Sequence, residues 1–219
     1  MEHLALLTFV RGPALDWSLG LCAAGIILRL FETLGLGRKA DLAKPRDDGP
    51  GSGWQTIFTR SIPPAGMFRR DPLTYVAGYV FHFGLLATIV LFVPHIEVIR
   101  GVFGVSWPGL PGPLVDVLTV ASLVALILLL VHRFYSPVKR LLSGIDDYLS
   151  WVLTFLPLLT GYLAFHHLLL EYTLMLAVHI ISVELLLVIL PFTKLFHSVS
   201  LWFSRWYNGD INARKGVAS

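Results

Sequence analysis

The sequence has few charged residues and a single cysteine, and both shortages restrict what the protein can be. Only 14% of its 219 residues are Asp, Glu, Lys or Arg, whereas a soluble domain carries roughly 25%. With 55% hydrophobic residues and a mean hydropathy of +0.72, too few polar side chains remain to cover a surface in water. Soluble enzymes, nucleic-acid-binding proteins and disordered chains are thereby excluded, which leaves an integral membrane protein. The lone Cys22 allows no internal disulfide and no iron–sulfur site.

Motifs of soluble catalysis are also missing from the sequence. It has no recognisable catalytic triad and no nucleotide-binding loop, so we expect no reaction on a soluble substrate by this chain alone. The first apolar run begins near Leu15, is too long for a signal-peptide core and precedes no small-residue cleavage site. We therefore expect a retained first span.

Five apolar runs predict five transmembrane helices in a single membrane domain that covers residues 1–219. A spanning helix needs about 20 apolar residues, and the continuous runs lack the alternation of a barrel strand. The fold class is therefore predicted to be all-α, an integral membrane bundle. The predicted spans are residues 15–36, 73–98, 114–132, 148–169 and 172–195.

Basic residues predict how the bundle is oriented. Lys and Arg concentrate in the connector between spans one and two, in the connector between spans three and four, and after span five, whereas the other side offers only Arg11 and Arg100. The positive-inside rule then predicts that the N-terminus lies outside and that the tail, residues 198–219, lies in the cytoplasm. The membrane is predicted to be the inner (plasma) membrane of the cell. Residues 54–70 alternate apolar and basic side chains, which predicts a segment on the cytoplasmic membrane surface. The net charge of +3 is thus a topology signal, and no nucleic acid is expected as a partner.

Histidine is the residue type that points to chemistry in this sequence. An ionisable side chain inside a membrane is costly and is therefore a candidate for function, and imidazole is a usual axial ligand of haem iron. Seven of the eight histidines lie within or beside the spans, at His82, His95, His132, His166, His167, His179 and His197.

The spacing of two histidines in the fifth span fits two stacked haems. His179 and His197 are 18 residues apart, which is five helical turns, so they share one face about 27 Å apart along the axis. Each iron then needs a second imidazole from another helix. By depth in the membrane, His82 of the second span pairs with His197, and His95 pairs with His179. The spacing alone equally fits a proton relay or polar contacts between helices.

Three segments resemble the gamma subunit of respiratory nitrate reductase, a membrane cytochrome b. Residues 191–200, PFTKLFHSVS, resemble the end of its last helix, where a Pro-Phe-Ser-Arg-Leu-Val-His-like segment supplies a haem ligand. Residues 80–84, VFHFG, resemble its Leu-Phe-His-Ile-Gly segment, and residues 133–147 resemble its third cytoplasmic connector. The resemblance covers roughly residues 73–200. The family also includes cytochrome b subunits of sulfur-metabolising and heterodisulfide-reductase-like membrane complexes.

The resemblance implies haem b as cofactor, with two haems expected and one as the alternative. The axial ligands would be His82 and His197 for the inner haem, and His179 with a second histidine for the outer haem. In the family that second ligand lies ten residues after the first, where this chain has Phe92, which cannot bind iron. His95 lies one turn farther out and only about 60° away, and Pro94 can re-aim the helix end. The substitutes for His95 are His166 and His167.

The resemblance also implies a respiratory role for the chain as an electron-transfer subunit of a quinol-dependent oxidoreductase complex. Quinol would be oxidised near the outer surface, where His166, His167 and Glu171 are placed to take its protons. Electrons would pass inward to a cytoplasmic iron–sulfur subunit and a further catalytic subunit, or in the reverse direction. The alternatives are a haem-free or mono-haem membrane anchor and a proton-relay transporter. The mid-span Glu184 would be either an acid on a proton path or a neutral acid bonded to a neighbour.

Overall fold

The computed structural model describes residues 1–36, 44, 46 and 53–217. Over this part of the chain every regular element is a helix, and no strand occurs. Five helices are long and apolar enough to cross a membrane, at Glu2–Gly35, Pro72–Leu91, Gly112–Tyr135, Ile145–Phe165 and Tyr172–Phe192. The prediction of an all-α, multi-pass membrane protein with five spans is therefore confirmed.

We number the helices in chain order. The ten helices are α1 (Glu2–Gly35), α2 (Gly53–Thr59), α3 (Ala65–Arg70), α4 (Pro72–Leu91), α5 (Val93–Phe103), α6 (Gly112–Tyr135), α7 (Pro137–Leu142), α8 (Ile145–Phe165), α9 (Tyr172–Ile189) and α10 (His197–Arg214), within the part of the chain that the structure describes. Two single 3₁₀ turns, Leu190–Phe192 and Lys194–Phe196, connect α9 to α10.

The first helix begins much earlier than the predicted span of residues 15–36. Pro13 would interrupt a regular α-helix because it lacks an N–H group. Here it lies in a wider, π-type turn at Val10–Ala14, and the helix continues through it. A second such turn, Phe31–Gly35, ends the helix.

The predicted second span, residues 73–98, is two helices with a break between them. Phe92 has an extended backbone, and Pro94 lies in the first turn of α5. Proline can neither donate to the carbonyl four residues earlier nor avoid clashing with it, which explains the break. The carbonyls freed in this way find other donors, because the Trp107 indole N–H donates to Val90 O (2.7 Å) and Leu110 N–H donates to Leu91 O (2.8 Å).

The described residues form two compact units, one of Met1–Ser18 and Asp71–Leu186, the other of the described parts of Leu19–Arg70 and Leu187–Ser219. In the first unit, α4 and α6 pack closely through small residues. A side chain on Gly84 would collide with the Ser122 hydroxyl and the Leu118 carbonyl, and Thr88 and Thr119 share a hydrogen bond of 3.1 Å. Small residues and hydroxyls are typical of helix contacts in lipid, where little hydrophobic force joins helices.

An ionic cluster holds the Asp71 end of the first unit. Asp71 accepts from Thr74 N–H (3.3 Å) and so caps α4. Its carboxylate also binds Lys139 Nζ (2.7 Å) and His132 Nε2 (3.0 Å), and Lys139 donates to the Thr74 hydroxyl. Burial alone would raise the pKa of Asp71, but these hydrogen bonds outweigh it and hold the pKa well below its usual range. The cluster therefore ties the start of α4 to the end of α6 and to α7.

In the second unit, α2 crosses α10 at two glycines. A side chain on Gly53 would meet the Trp206 indole at 2.8 Å, and one on Gly209 would overlap the Thr56 side chain. The predicted surface segment, residues 54–70, is thus mostly helical in α2 and α3, and the predicted tail, residues 198–219, is mostly helical in α10.

We expect Asp71→Asn to destabilise the protein by about 1–2 kcal/mol at pH 7 because it leaves the half-buried Lys139 without its counter-ion. Asparagine still caps a helix, so the capping contribution is kept. Because the pKa of Asp71 is lowered in the folded protein, its stabilisation is fully present above about pH 4 and declines progressively as the pH falls below about 4 toward the lowered pKa. Thermal unfolding in detergent from pH 3 to 7 measures this. Glu97→Gln, which breaks an exposed pair with Arg100 (3.0 Å), is the control and should cost under about 1 kcal/mol.

We expect Gly84→Ala to lower stability by about 1–3 kcal/mol, since its methyl group forces α4 and α6 apart. Gly78→Ala is the matched control on the same helix, because a methyl group there meets no atom within 4 Å. Thermal unfolding of the two variants should differ clearly. Equal midpoints would contradict the described crossing of α4 and α6.

Candidate functional site

Two imidazoles meet in the first unit, one from α5 and one from α9. The ring centroids of His95 and His179 are 6.2 Å apart, with an angle of 24° between the ring planes. Both side chains are half-buried. His95 and His179, which are far apart in sequence, thus lie together near the Leu91 end of α4.

The break in the second span explains the position of His95. The residue lies in the first turn of α5, and its Nδ1 reaches back to the carbonyl of Thr88 at 2.8 Å. Burial lowers the pKa of His95, and the hydrogen bond to Thr88 only partly opposes this. Burial thus favours the neutral ring, which is the form that binds metals.

Polar groups of α8 hold the ring of His179. Its Nδ1 lies 3.3 Å from the Thr160 hydroxyl, which also shares a hydrogen bond with the Ser182 hydroxyl (3.0 Å). Gly161 makes room for the ring, since a side chain at this position would come within 3.0 Å of it. Helix α8 thereby fixes how the imidazole of α9 is turned.

His95 and His179 are the residues that would hold an iron in the first unit. Both Nδ1 atoms have polar partners, so Nε2 is the nitrogen that each ring can offer to a metal. No group of three or more His, Cys, Asp or Glu among the described residues could hold a bare metal ion. Haem needs only two protein ligands, and this donor set fits it.

The other two predicted ligands lie in different units, and each has the same local arrangement. His82 Nδ1 is 2.7 Å from Gly78 O, and His197 Nδ1 is 2.8 Å from Lys194 O. A bond from Nδ1 to a carbonyl directs the opposite nitrogen to a metal and increases its basicity. The prediction that His179 and His197 share one face of a single helix is wrong, because the helix of His179 ends at Ile189, Thr193 has an extended backbone, and His197 begins α10. The pairing of His82 with His197 stays a prediction.

His166, His167 and Glu171 each have a different partner. His166 Nε2 is 2.7 Å from the Asp116 carboxylate, while His167 stacks on Tyr172 with centroids 4.6 Å apart. The third residue, Glu171, accepts from the backbone N–H groups of Thr173 and Leu174 and so caps α9. The Thr173 backbone bond is the main cause of the lowered pKa of Glu171.

Asp116 is a site residue that the sequence analysis missed. The available signal was one acidic residue in the first turns of the very apolar helix α6. Two phenylalanines connect its pair with His166 to the imidazole pair. Phe92 packs edge-on against both His95 (5.2 Å) and Phe165 (5.4 Å), and Phe165 packs edge-on against His166 (5.2 Å).

Glu184 is buried in α9, and its Oε1 has no hydrogen-bond partner among the described residues. Both interpretations of Glu184, as an acid on a proton path and as a neutral acid bonded to a neighbour, stay predictions. His132, the remaining histidine of the spans, is engaged by Asp71 as described above.

No protein-family model matches the sequence, and no solved structure matches it. The chain is similar to a protein of Nitratidesulfovibrio vulgaris (strain Hildenborough) that is described only as "Protein". The two are 30% identical over 217 residues, which cover 96% of this chain and 96% of the relative. Since the similarity extends over nearly the full length of both chains, the chain belongs to the family of this Nitratidesulfovibrio vulgaris protein.

Proposed function

We propose that the protein is a haem b-containing membrane subunit of a respiratory oxidoreductase in the plasma membrane. It passes electrons between the quinone pool and a cytoplasmic iron–sulfur partner. The observation that carries the proposal is the His95–His179 pair, with centroids 6.2 Å apart and each Nδ1 held by a polar group. The resemblance to the nitrate reductase gamma subunit supports the same cofactor.

In this proposal the chain's own residues hold, orient and insulate the cofactor. His95 and His179 hold one haem near the outer surface, and His82 and His197 hold a second near the cytoplasm. When bound, a haem supplies an iron that carries one electron at a time. The Nδ1 contacts fix each ring and make Nε2 a stronger donor. The apolar helices keep water away from the iron.

Oxidation of a quinol releases protons, and the Asp116–His166 pair is suited to accept one. The carboxylate 2.7 Å from Nε2 would stabilise the positive charge that a protonated ring acquires. His166 would then take the proton of the quinol hydroxyl at Nδ1. Phe92 and Phe165 place this pair beside the imidazole pair, so the proton and the electron can leave the quinol in the same region.

Partner binding is proposed from charge. The predicted cytoplasmic connectors and tail carry most of the Lys and Arg residues. An iron–sulfur subunit that itself contacts the catalytic subunit would dock on this side. Complementary charge would steer that docking.

A proton-relay transporter or anchor without haem is the second candidate. It is favoured by Glu184, a buried acid five residues after His179 with an oxygen that has no partner in the described structure. A mono-haem anchor would use only the His95–His179 pair. The optical spectrum of the purified protein separates these candidates.

We expect the protein, expressed with ample haem, to show a reduced α-band at roughly 560 nm, as bis-imidazole ligation gives. Replacing His179 or His95 by Ala should remove one haem, which halves the haem-to-protein ratio if two are bound. His3→Ala is the control, because this exposed histidine is not among the candidate ligands. Colourless protein, or spectra that both ligand variants leave unchanged, would contradict the haem assignment.

We expect Asp116→Asn to slow haem reduction by a soluble quinol analogue by roughly a hundredfold, the size of a general-base contribution. Haem content should not change, because Asp116 is not a ligand. Stopped-flow absorbance at the α-band measures the rate. Asp146→Asn, at the opposite end of α8 from His166, is the charge-matched control and should reduce at the rate of the unmodified protein. An unchanged rate in Asp116→Asn would exclude the pair as the proton acceptor.

A further inference from the structure

The second unit contains a cavity that the proposed electron transfer does not use. It has a volume of about 370 Å³ and lies between α2 and α10. Its lining is Thr56, Arg60, Arg205, Asn208 and Asn212. Two guanidinium groups and two amides thus face one space, and no carboxylate is among the described residues of the lining.

The crossing of α2 and α10 builds this cavity. The close approach at Gly53 and Gly209 fixes the two helices against each other. Arg205 is then held in place, because its Nη1 donates to Ile57 O (3.1 Å) and to the Ser61 hydroxyl (2.7 Å). A guanidinium has five N–H donors, so this anchoring leaves donors for a ligand.

Asp210, an acidic residue of α10 close in sequence to the lining residues, does not neutralise the charge of the cavity. Asp210 is paired with Arg214 at 3.1 Å, one turn along the same helix. The described residues of the lining thus carry two positive charges and no negative charge, which favours an anion. Arginine is suited to phosphate in particular, because its planar fork binds two oxygens at once.

Exposed aromatic side chains on the same two helices indicate where this anion comes from. Trp54 and Phe58, one turn apart on α2, are 72% and 71% exposed, and Trp202 on α10 is 54% exposed. Tryptophan at the end of membrane spans is typical of the headgroup layer. Helix α10 begins five residues after the last spanning segment ends at Phe192, which places it close to that layer.

We propose that this cavity binds the phosphate of an anionic phospholipid of the leaflet predicted to be cytoplasmic, with a headgroup such as phosphoglycerol. Arg60 and Arg205 bind the phosphate oxygens. Asn208 and Asn212 bind the hydroxyl groups of the headgroup. The aromatic side chains of α2 and α10 lie against the acyl chains. A bound lipid would hold both helices at the membrane surface.

The test uses the purified full-length protein in a non-ionic detergent. Short-chain phosphatidylglycerol, phosphatidylcholine of the same chain length and inorganic phosphate are each titrated, and binding is followed by native mass spectrometry and by the thermal midpoint. We expect phosphatidylglycerol to bind and to raise the midpoint, with little effect of phosphatidylcholine. Inorganic phosphate should need far higher concentrations, because it lacks the acyl chains.

Two variants with the same change in charge separate the cavity from general surface charge. Arg60→Gln removes a guanidinium of the lining, and we expect phosphatidylglycerol to bind about tenfold more weakly, the loss of one charge-assisted contact. Arg69→Gln, on α3 and outside the lining, should bind as the unmodified protein does. Arg60 is exposed and directly follows α2, so the helix crossing should persist. An unchanged thermal midpoint without added lipid checks this. Asn208→Leu is a second variant. It should weaken the binding of phosphatidylglycerol more than the binding of a lipid without headgroup hydroxyls.

Three results would overturn the proposal. Equal binding of phosphatidylglycerol by Arg60→Gln and the unmodified protein would exclude the cavity as the binding site of the lipid. Equal weakening in Arg60→Gln and Arg69→Gln would show attraction by surface charge alone. Inorganic phosphate that matches the lipid in affinity, and is lost in Arg60→Gln, would assign the cavity to a free phosphate instead of a membrane lipid. None of these readouts depends on haem, so the result is independent of the proposed electron transfer.

Discussion

Pro94 removes one backbone donor from the second apolar run, and the position of His95 depends on how the chain compensates. In lipid a carbonyl without a donor costs several kcal/mol. Trp107 and Leu110 supply the missing donors from the loop after α5. The chain can therefore turn at Phe92 and direct His95 back to Thr88 and toward His179. A continuous helix through residue 95 would place this ring elsewhere on the helix surface.

Paired polar groups complete the packing of the first unit. The hydroxyls of Thr88 and Thr119 bind each other, and Thr160 connects His179 with Ser182. Such contacts contribute only about 0.6 kcal/mol each in membranes, so their main effect is on geometry. They set the rotation of each helix about its axis, which decides where an imidazole points. The same helices thus supply both the apolar surroundings and the orientation of the candidate ligands.

The second unit packs differently from the first, because α2 and α10 are not among the helices long and apolar enough to span a membrane. Glycines at the crossing bring the two backbones close and leave the arginines at the edge of the contact. Aromatic residues that would be a liability in water remain exposed on both helices. A membrane surface satisfies both features, since it offers phosphate to the guanidinium groups and an apolar layer to the rings.

The sequence by itself determined the class of the protein, the number of spans and the candidate ligands. Hydropathy measures a transfer free energy that each segment carries alone, so it predicts spans without knowledge of their neighbours. Depth along the helices likewise put His95 opposite His179, and the two rings lie together. Only the tertiary structure decided that α4 ends at Leu91, that Asp116 pairs with His166 and that Glu171 caps α9. These outcomes depend on which donors and acceptors are within reach in space, because a polar group in an apolar medium takes whichever partner the packing of other helices brings to it.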